Sequence, residues 1–213
     1  AEHAIGQILC LFNKINSAND EIKNGLWNRE KNRGIELMNK TIGVIGYGNT
    51  GQSFCEKLNG FKCNILVFDK YKNNFGNDFI KEASMDELQK NADILSLHIP
   101  LNKETENMVN LSFLSKFKKP VYLINTSRGK IINTNDLVLC LKKKVVMGAC
   151  LDVIEYEENS FERINNNNNN MKFLIKAENV ILTPHIAGLS FESKKKLSKI
   201  LANKILDFIK SIN

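Results

Sequence analysis

Four short segments place chemically reactive side chains directly after apolar runs of the chain. They contain two histidines, an arginine, an acidic residue and hydroxyl groups, the types that proton transfer and anion binding use. The segments are His98–Pro100, Asn125–Gly129, Asp152–Val153 and Thr183–Gly188. In an open α/β sheet, ligands bind beyond the carboxyl ends of the strands. If the apolar runs are parallel strands, the four segments meet at one edge of the sheet and form a candidate active site.

A glycine-rich stretch, TIGVIGYGNTG at Thr41–Gly51, is the second candidate for chemistry. Gly46, Gly48 and Gly51 follow the G-x-G-x-x-G pattern between a predicted strand and a predicted helix. In this pattern the first glycine permits a tight turn, the second lets the backbone approach a pyrophosphate, and the third lets helix and strand pack closely. The N–H groups and partial positive charge of the helix N-terminus favour phosphate binding.

An acidic residue, Asp69, ends the next predicted strand, where the dinucleotide-binding pattern requires one. Its carboxylate can accept hydrogen bonds from both ribose hydroxyls and would repel a 2′-phosphate, which favours NAD over NADP. The alternative is a glycine-rich turn that holds no ligand. The presence of strand, helix and acid together favours the nucleotide.

The elements that must position these groups alternate along the chain from residue 41 onward. The predicted strands are Thr41–Tyr47, Asn64–Phe68, Asp93–Ile99, Val121–Asn125, Val145–Val153 and Asn179–Leu182. The predicted helices are Ala1–Ile15, Thr50–Asn59, Met85–Asn91, Leu111–Phe117, Asn135–Lys143 and Phe191–Ile212. The strands show little alternation of polar and apolar residues, as expected for a parallel sheet covered on both faces. The pattern predicts an α/β fold with a three-layer, Rossmann-like, doubly wound parallel sheet.

Two segments carry no periodic signal. Residues Asn16–Lys40 are polar apart from a few side chains such as Trp27 and are predicted to be an irregular connection. Residues Asn159–Asn170 include six consecutive asparagines and are predicted to be a mobile surface loop, since such a run cannot pack a core.

Composition excludes several classes of function. The chain has 213 residues and a net charge of +7, but its lysines are scattered and do not alternate with aromatic residues, so nucleic acid is not an expected partner. No apolar run is long enough to cross a membrane. The five cysteines form no C-x-x-C pair, which indicates core residues in a reducing compartment. With three histidines and no Cys–His cluster, no metal site is expected.

Motifs along nearly the whole chain resemble the D-isomer-specific 2-hydroxyacid dehydrogenases, the family that includes D-3-phosphoglycerate dehydrogenase. The matching segments are AEHAIGQIL, GLWNRE, KTIGVIGYGNTG, LHIPLNKETENMVN, INTSRGKII, GACLDV and LTPHIAG. The resemblance implies hydride transfer between NAD(H) and a D-2-hydroxy acid or its keto acid. Oxidation of 3-phosphoglycerate in serine biosynthesis is the favoured specific reaction, and reduction of glyoxylate or hydroxypyruvate is the alternative.

The resemblance also implies roles for individual residues. Arg128 is expected to bind the substrate carboxylate and keto oxygen, and His185 to exchange a proton with that oxygen. Glu157 is expected to hydrogen-bond His185 and favour its protonated form, and Asp152 to contact the nicotinamide carboxamide. The remaining residues expected at the cofactor are Asn49, Thr50, Ile99, Pro100, Thr126, Ser127 and Gly188.

The glutamate assignment rests on spacing. The family usually has proline after this glutamate, whereas Glu158 follows it here. Glu155 and Glu158 therefore remain alternatives to Glu157 as the partner of His185.

Similarity to the family further implies that residues 1–213 form the NAD-binding domain alone. Ala1–Ile15 and Phe191–Ile212 would be the helices that connect it to a substrate domain, which is absent from this sequence. We therefore expect the isolated chain to bind NAD(H) but to turn over poorly. A homodimer and a cytoplasmic location are also expected. Two further alternatives are an NAD(H)-sensing protein like the C-terminal binding corepressors and an NAD-using hydrolase related only by fold.

Overall fold

A seven-stranded parallel sheet forms the centre of the molecule. The computed structural model describes residues 1–157 and 168–212. The strand order is β3-β2-β1-β4-β5-β6-β7, and every neighbouring pair runs parallel. The strands are β1 (Thr41–Ile45), β2 (Asn64–Phe68), β3 (Ile80–Glu82), β4 (Ile94–Leu97), β5 (Val121–Asn125), β6 (Val146–Leu151) and β7 (Val180–Leu182). The order reverses beside β1, which places the topological switch point at the glycine turn.

Helices cover both faces of this sheet. They are α1 (Glu2–Phe12), α2 (Ile15–Lys23), α3 (Asn49–Leu58), α4 (Met85–Asn91), α5 (Leu111–Leu114), α6 (Thr134–Lys142), α7 (Asn169–Lys176) and α8 (Phe191–Ile212). Short 3₁₀ turns lie at Asn59–Phe61 and Gly129–Ile131.

Successive strand residues divide between two hydrophobic clusters. On β4, Ile94 packs with α1 and α3 on one face, whereas Leu95 and Leu97 pack with α4 to α7 on the other. This division gives the three layers that the sequence predicts, and the α/β, Rossmann-like fold class is confirmed.

Helices α2 and α7 and strand β3 were absent from the sequence prediction. The predicted helix Ala1–Ile15 ends at Phe12, and Lys14 in the left-handed conformation begins a second helix, α2, inside the segment predicted to be irregular. No residue of α2 is buried, and although Ile15, Ala18 and Ile22 recur at helical spacing, the segment is otherwise polar, so the sequence prediction overlooked this signal. The edge strand β3 has only three residues, and pairing with β2 stabilises it.

The last residues of the asparagine run belong to a helix. Residues 158–167, which hold most of the predicted loop Asn159–Asn170, lie outside the described residues. The last asparagines begin α7, where the Asn168 side chain accepts a hydrogen bond from the Asn170 N–H at 2.8 Å and caps the helix. Met171 and Leu174 are buried and hold α7 against the core.

The long helix α8, like the shorter α2, has no buried residue. Within the described part of the chain, no helix is long and apolar enough to cross a membrane. The same residues contain no cluster of three or more histidine, cysteine, aspartate or glutamate side chains that could hold a metal ion.

Candidate active site

The glycine turn joins β1 to α3. Gly46 has a φ of +96°, and its N–H donates to the carbonyl of Phe68 at 2.8 Å. A Cβ on Gly46 would lie 2.4 Å from the carbonyl oxygen of His98, and one on Gly51 would lie 2.1 Å from that of Gly46. Both positions therefore exclude any side chain, because neither contact involves a flexible group.

Gly48 serves a different purpose from its neighbours. Its backbone is extended, with a φ of −79°, and no heavy atom lies within 4 Å of a Cβ built there. Gly48 precedes the first residues of α3, Asn49 and Thr50, which are both exposed. The first N–H groups of a helix have no partners within the helix. The open space in front of them is where a pyrophosphate would bind.

Asp69 follows β2 and is held by backbone N–H groups. Its Oδ2 accepts from Tyr47 at 2.6 Å, and its Oδ1 accepts from Tyr71 at 2.8 Å and from Lys72 at 3.0 Å. Partial burial would raise the pKa of Asp69, but these hydrogen bonds outweigh it and lower the pKa below its usual value. The carboxylate is therefore ionised, as a group that repels a 2′-phosphate must be.

Arg128 lies in a turn that β5 positions. The buried Asn125 at the end of β5 accepts from the N–H of Ser127 at 3.0 Å and donates to the carbonyl of Arg128 at 3.0 Å. Ser127 donates to the carbonyl of Leu97 on β4 at 2.6 Å. A Cβ on Gly129 would lie 2.1 Å from the backbone of Ile154, so this turn packs directly against the segment after β6. Arg128 itself is exposed.

His185 and Glu157 are in contact. The Nδ1 of His185 lies 2.8 Å from the Oε2 of Glu157, and both side chains are mostly buried. Glu157 also accepts from the N–H of Ile154, which fixes its carboxylate. Because the Nδ1 edge of the ring faces Glu157, proton exchange with a substrate would occur through Nε2.

The other two glutamates differ in position. Glu155 accepts from the N–H of Thr134 at 3.0 Å and thereby stabilises the start of α6. Glu158 lies outside the described residues. Of the two candidates that the structure describes, Glu157 is the one that contacts the histidine.

The carboxylate of Asp152 holds the loop after β7. Its Oδ1 accepts from Thr183 Oγ1 at 2.6 Å and from the N–H of Ile186 at 2.9 Å, and its Oδ2 accepts from the N–H of Ala187 at 2.8 Å. The side chain is fully buried. A direct contact with a nicotinamide carboxamide, which the sequence analysis expects, would require part of this cover to move.

A cleft of about 430 Å³ brings most of the reactive residues together. The predicted site residues that line it are Thr50, Thr126, Arg128, Asp152, His185 and Gly188. Ile99, Pro100, Ser127 and Glu157 are not part of its lining, and neither are Asn49, Asp69 or the glycines of the turn. Ile99 and Ser127 are partly buried, and Pro100 is exposed.

His98, which the sequence places at a strand end of the candidate site, also lines the cleft. Its Nε2 lies 2.8 Å from the hydroxyl of Ser96 on β4, and its ring packs 4.9 Å from that of Phe54. Burial lowers its pKa to about 4, so this histidine is neutral near neutral pH.

Sequence reasoning missed two residues of α1 that contact the segment carrying His185. His3 and Gln7 both contact the hydroxyl of Thr183, at 2.9 Å in each case. Their spacing of i and i+4 places them on one face of a helix, which is the signal that reveals such a pair. Their target cannot be found from the sequence, because Thr183 follows them by well over a hundred residues.

Comparison with known proteins decides the family. Residues 5–187 match the family model described as "D-isomer specific 2-hydroxyacid dehydrogenase, NAD binding domain". The chain belongs to this family. It is 35% identical to a glyoxylate reductase from Thermofilum pendens, a match that covers 99% of this chain and 61% of that protein. It is 33% identical to a D-3-phosphoglycerate dehydrogenase from Archaeoglobus fulgidus, with 100% of this chain and 39% of that protein covered.

Solved structures of the family agree with this assignment. The NAD-complexed D-isomer specific 2-hydroxyacid dehydrogenase from Lactobacillus delbrueckii ssp. bulgaricus superposes with a TM-score of 0.87 at 29% identity, covering 99% of this chain and 65% of that one. This chain thus spans about three fifths of the length of relatives such as the Thermofilum protein (61%).

The dehydrogenase-family cofactor, NAD, fits the residues present. The collisions at Gly46 and Gly51 keep the turn tight, the space at Gly48 admits a pyrophosphate, and the ionised Asp69 stands where a ribose would bind. The chain is accordingly an NAD-binding domain of this family.

Proposed function

We propose that this chain is the cofactor-binding and acid–base half of an NAD-dependent D-2-hydroxyacid dehydrogenase. The observation that carries the proposal is the contact between His185 and Glu157, in a cleft that Arg128 and the start of α3 also line. NAD, when bound, supplies the acceptor or donor of the hydride.

The protein's own residues supply a positive charge that binds the substrate and a proton for its keto oxygen. The guanidinium of Arg128 is a planar, permanently charged fork that suits a substrate carboxylate and its keto oxygen. The imidazole of His185 gives a proton to the keto oxygen in reduction and takes it from the hydroxyl in oxidation. Glu157 orients the ring, since one of its carboxylate oxygens lies 2.8 Å from Nδ1.

For the specific substrate we propose 3-phosphoglycerate, which would place the enzyme in serine biosynthesis. The relative from Archaeoglobus supports this choice at 33% identity. Reduction of glyoxylate or hydroxypyruvate is the second candidate, and the Thermofilum glyoxylate reductase at 35% identity and a hydroxypyruvate reductase from Blautia hydrogenotrophica at 34% favour it.

A panel of keto acids tests both candidates with the longer protein that contains this chain. NADH absorbance would be followed with 3-phosphohydroxypyruvate, hydroxypyruvate, glyoxylate, pyruvate and 2-oxoglutarate, and the series repeated with NADPH. A strong preference for one substrate identifies it, and a preference for NADH supports the role of Asp69. Bound NADH with no oxidation across the panel would instead favour a non-enzymatic NAD(H) sensor.

We also propose a homodimer. Exposed apolar side chains lie on α2 and the turn that follows it, among them Ile22, Leu26 and Trp27, the last 78% exposed. Contiguous exposed apolar surface is typical of an interaction site. Sedimentation equilibrium of the wild-type chain and of Trp27→Glu tests this, since a dimer through this surface dissociates in the variant.

The proposed location is the cytoplasm. All five cysteines are free thiols, as is usual in a reducing compartment. Fractionation of cells with an antibody to this chain tests the location independently of activity.

A further inference from the structure

The hydroxyl of Thr183 is the centre of a partly buried network that links α1 to the loop carrying His185. Three side chains lie within hydrogen-bond distance of its Oγ1: Asp152 Oδ1 at 2.6 Å, His3 Nε2 at 2.9 Å and Gln7 Nε2 at 2.9 Å. His3 Nε2 also lies 3.4 Å from Asp152 Oδ1. The network therefore joins residues near the start of the chain to the cleft.

Counting protons fixes the direction of each hydrogen bond. A threonine hydroxyl has one proton and two lone pairs, and an ionised carboxylate can only accept. Thr183 must therefore donate to Asp152, and its lone pairs must accept from His3 and Gln7. This places a proton on the Nε2 of His3, and it orients the Gln7 amide with its nitrogen toward Thr183.

Asp152 in turn holds three consecutive amides of the loop after β7. Its backbone carbonyl accepts from the N–H of His185 at 2.8 Å, and its two carboxylate oxygens accept from the N–H groups of Ile186 and Ala187. His185 has a φ of +55°, a conformation that costs energy for a residue with a side chain. The hydrogen bonds to Asp152 maintain that conformation and thus the direction of the imidazole.

The burial of Gln7 indicates that its amide is retained for this network. Gln7 is 4% exposed, and its Oε1 has no hydrogen-bond partner among residues 1–157 and 168–212. A buried carbonyl without a hydrogen bond lowers the stability of a fold. An apolar residue of the same size at position 7 would therefore be favourable unless the amide nitrogen made a useful hydrogen bond. The hydrogen bond that the structure shows is the one from Gln7 Nε2 to Thr183.

We propose that His3 and Gln7 are positioning residues, which act through Thr183 and Asp152 on the loop that presents His185. This inference rests on the proposed function, because it gives His185 a catalytic role. His3 and Gln7 do not line the cleft, so their effect is on the geometry of the loop rather than on the substrate.

Amide hydrogen exchange of the 213-residue chain tests the proposal without any turnover. His3→Leu removes the donor to Thr183, and His3→Gln is the matched control because it keeps an N–H donor at nearly the same place. We expect His3→Leu to accelerate exchange of the Ile186 and Ala187 amides about two- to tenfold, the factor that corresponds to one net hydrogen bond, while the amides of β1 keep their rates. Thr183→Val should give the same local effect, and adding His3→Leu to it should change nothing more.

Three results would overturn the proposal. They are unchanged exchange at Ile186 and Ala187 in His3→Leu, equal acceleration in His3→Gln, and equal acceleration throughout the sheet, which would mean a general loss of stability. If His3→Leu does not fold, Gln7→Leu and Thr183→Val carry the same test, since each removes one member of the network.

The failure of this inference can be told apart from failure of the proposed function. If His185→Gln retains hydride transfer in the longer protein, the role of His185 is wrong whatever the exchange rates are. If His185→Gln is inactive but the amides of the loop do not respond to His3→Leu or Thr183→Val, only the positioning network is wrong.

Discussion

The contact between His185 and Glu157 makes a quantitative prediction at the scale of single residues. His185→Gln removes the group that transfers the proton but keeps a similar volume, so we expect the turnover of the longer protein to fall about a hundred- to ten-thousandfold. The affinity for NADH, measured by quenching of protein fluorescence, should stay within about twofold of wild type, because acid–base catalysis is distinct from cofactor binding.

Glu155→Gln is the matched control for Glu157→Gln. Both remove one carboxylate of the same segment, but Glu155 contacts the N–H of Thr134 and Glu157 contacts the ring of His185. Turnover should fall only in Glu157→Gln. Equal losses in the two variants would show that the segment, and not the proton-transfer pair, determines activity.

Because His98 is buried, we expect it to make the free energy of unfolding depend on pH. Burial lowers its pKa in the folded protein to about 4, whereas histidine in an unfolded chain titrates near about 6.5. Between these values the unfolded chain binds more protons, so the free energy of unfolding decreases as the pH falls from about 6.5 toward 4. The contribution is at most about 3 kcal/mol.

His98→Gln checks this contribution, because glutamine can keep the hydrogen bond to Ser96 but does not titrate. Urea unfolding of the two proteins at a series of pH values should give curves that diverge below about pH 6.5. Parallel curves would show that His98 is not the group responsible for the loss of stability.

The residues of the site could be predicted from the sequence to different degrees. Gly46, Gly48, Gly51 and Asp69 carry local signals, a spacing within one turn and an acid at the next strand end, so their positions follow from the chain alone. Asp152 could be placed at a strand end, but not its burial under the Thr183–Gly188 loop, since hydrogen bonds between distant segments have no sequence pattern.

At the scale of elements, we expect two similar substitutions in the turn between β1 and α3 to lower the free energy of unfolding by different amounts. Gly51→Ala would force a Cβ to 2.1 Å from a backbone carbonyl, so the free energy of unfolding should fall by about 1–3 kcal/mol or more. Gly48→Ala meets no heavy atom within 4 Å and suits the existing φ, so the loss should be below about 1 kcal/mol.

Cofactor affinity further distinguishes Gly48→Ala from Gly51→Ala. The methyl group of Gly48→Ala would occupy the space that a pyrophosphate needs, so its NAD affinity should fall about tenfold or more while its melting temperature changes little. Calorimetric titration with NAD and thermal unfolding of the same samples measure both quantities. Full affinity in Gly48→Ala would mean that the phosphates bind elsewhere.

The elements themselves were predictable where burial on both sides leaves a strong apolar signal. Strands β2 and β5 have the predicted limits, because each is a short apolar run bounded by polar residues. Helix α2 and strand β3 were missed because they lack this strong apolar signal. Helix α2 lies in a mostly polar segment and buries no side chain, and the edge strand β3 is stabilised by its pairing with β2.

At the scale of the whole molecule, the cleft lies at the carboxyl ends of the strands. The residues that line it come from the start of α3, the segments that follow β4 to β7, and Ala1. A closed site that excludes water strengthens electrostatic interactions and protects the transfer step. We propose that residues 1–213 are one domain of two and that the second domain supplies the opposite wall, in keeping with the 61% coverage of the Thermofilum relative.

This arrangement predicts that binding and turnover separate when the chain is isolated. The isolated 213-residue chain should bind NADH with an affinity within about tenfold of the longer protein, since the glycine turn and Asp69 are complete. Its turnover with the preferred keto acid should be lower by about a hundredfold or more, because one wall of the site contributes orientation and exclusion of water. Comparable turnover by the two proteins would show that Arg128, Glu157 and His185 suffice on their own, and that a second wall is not needed for the reaction.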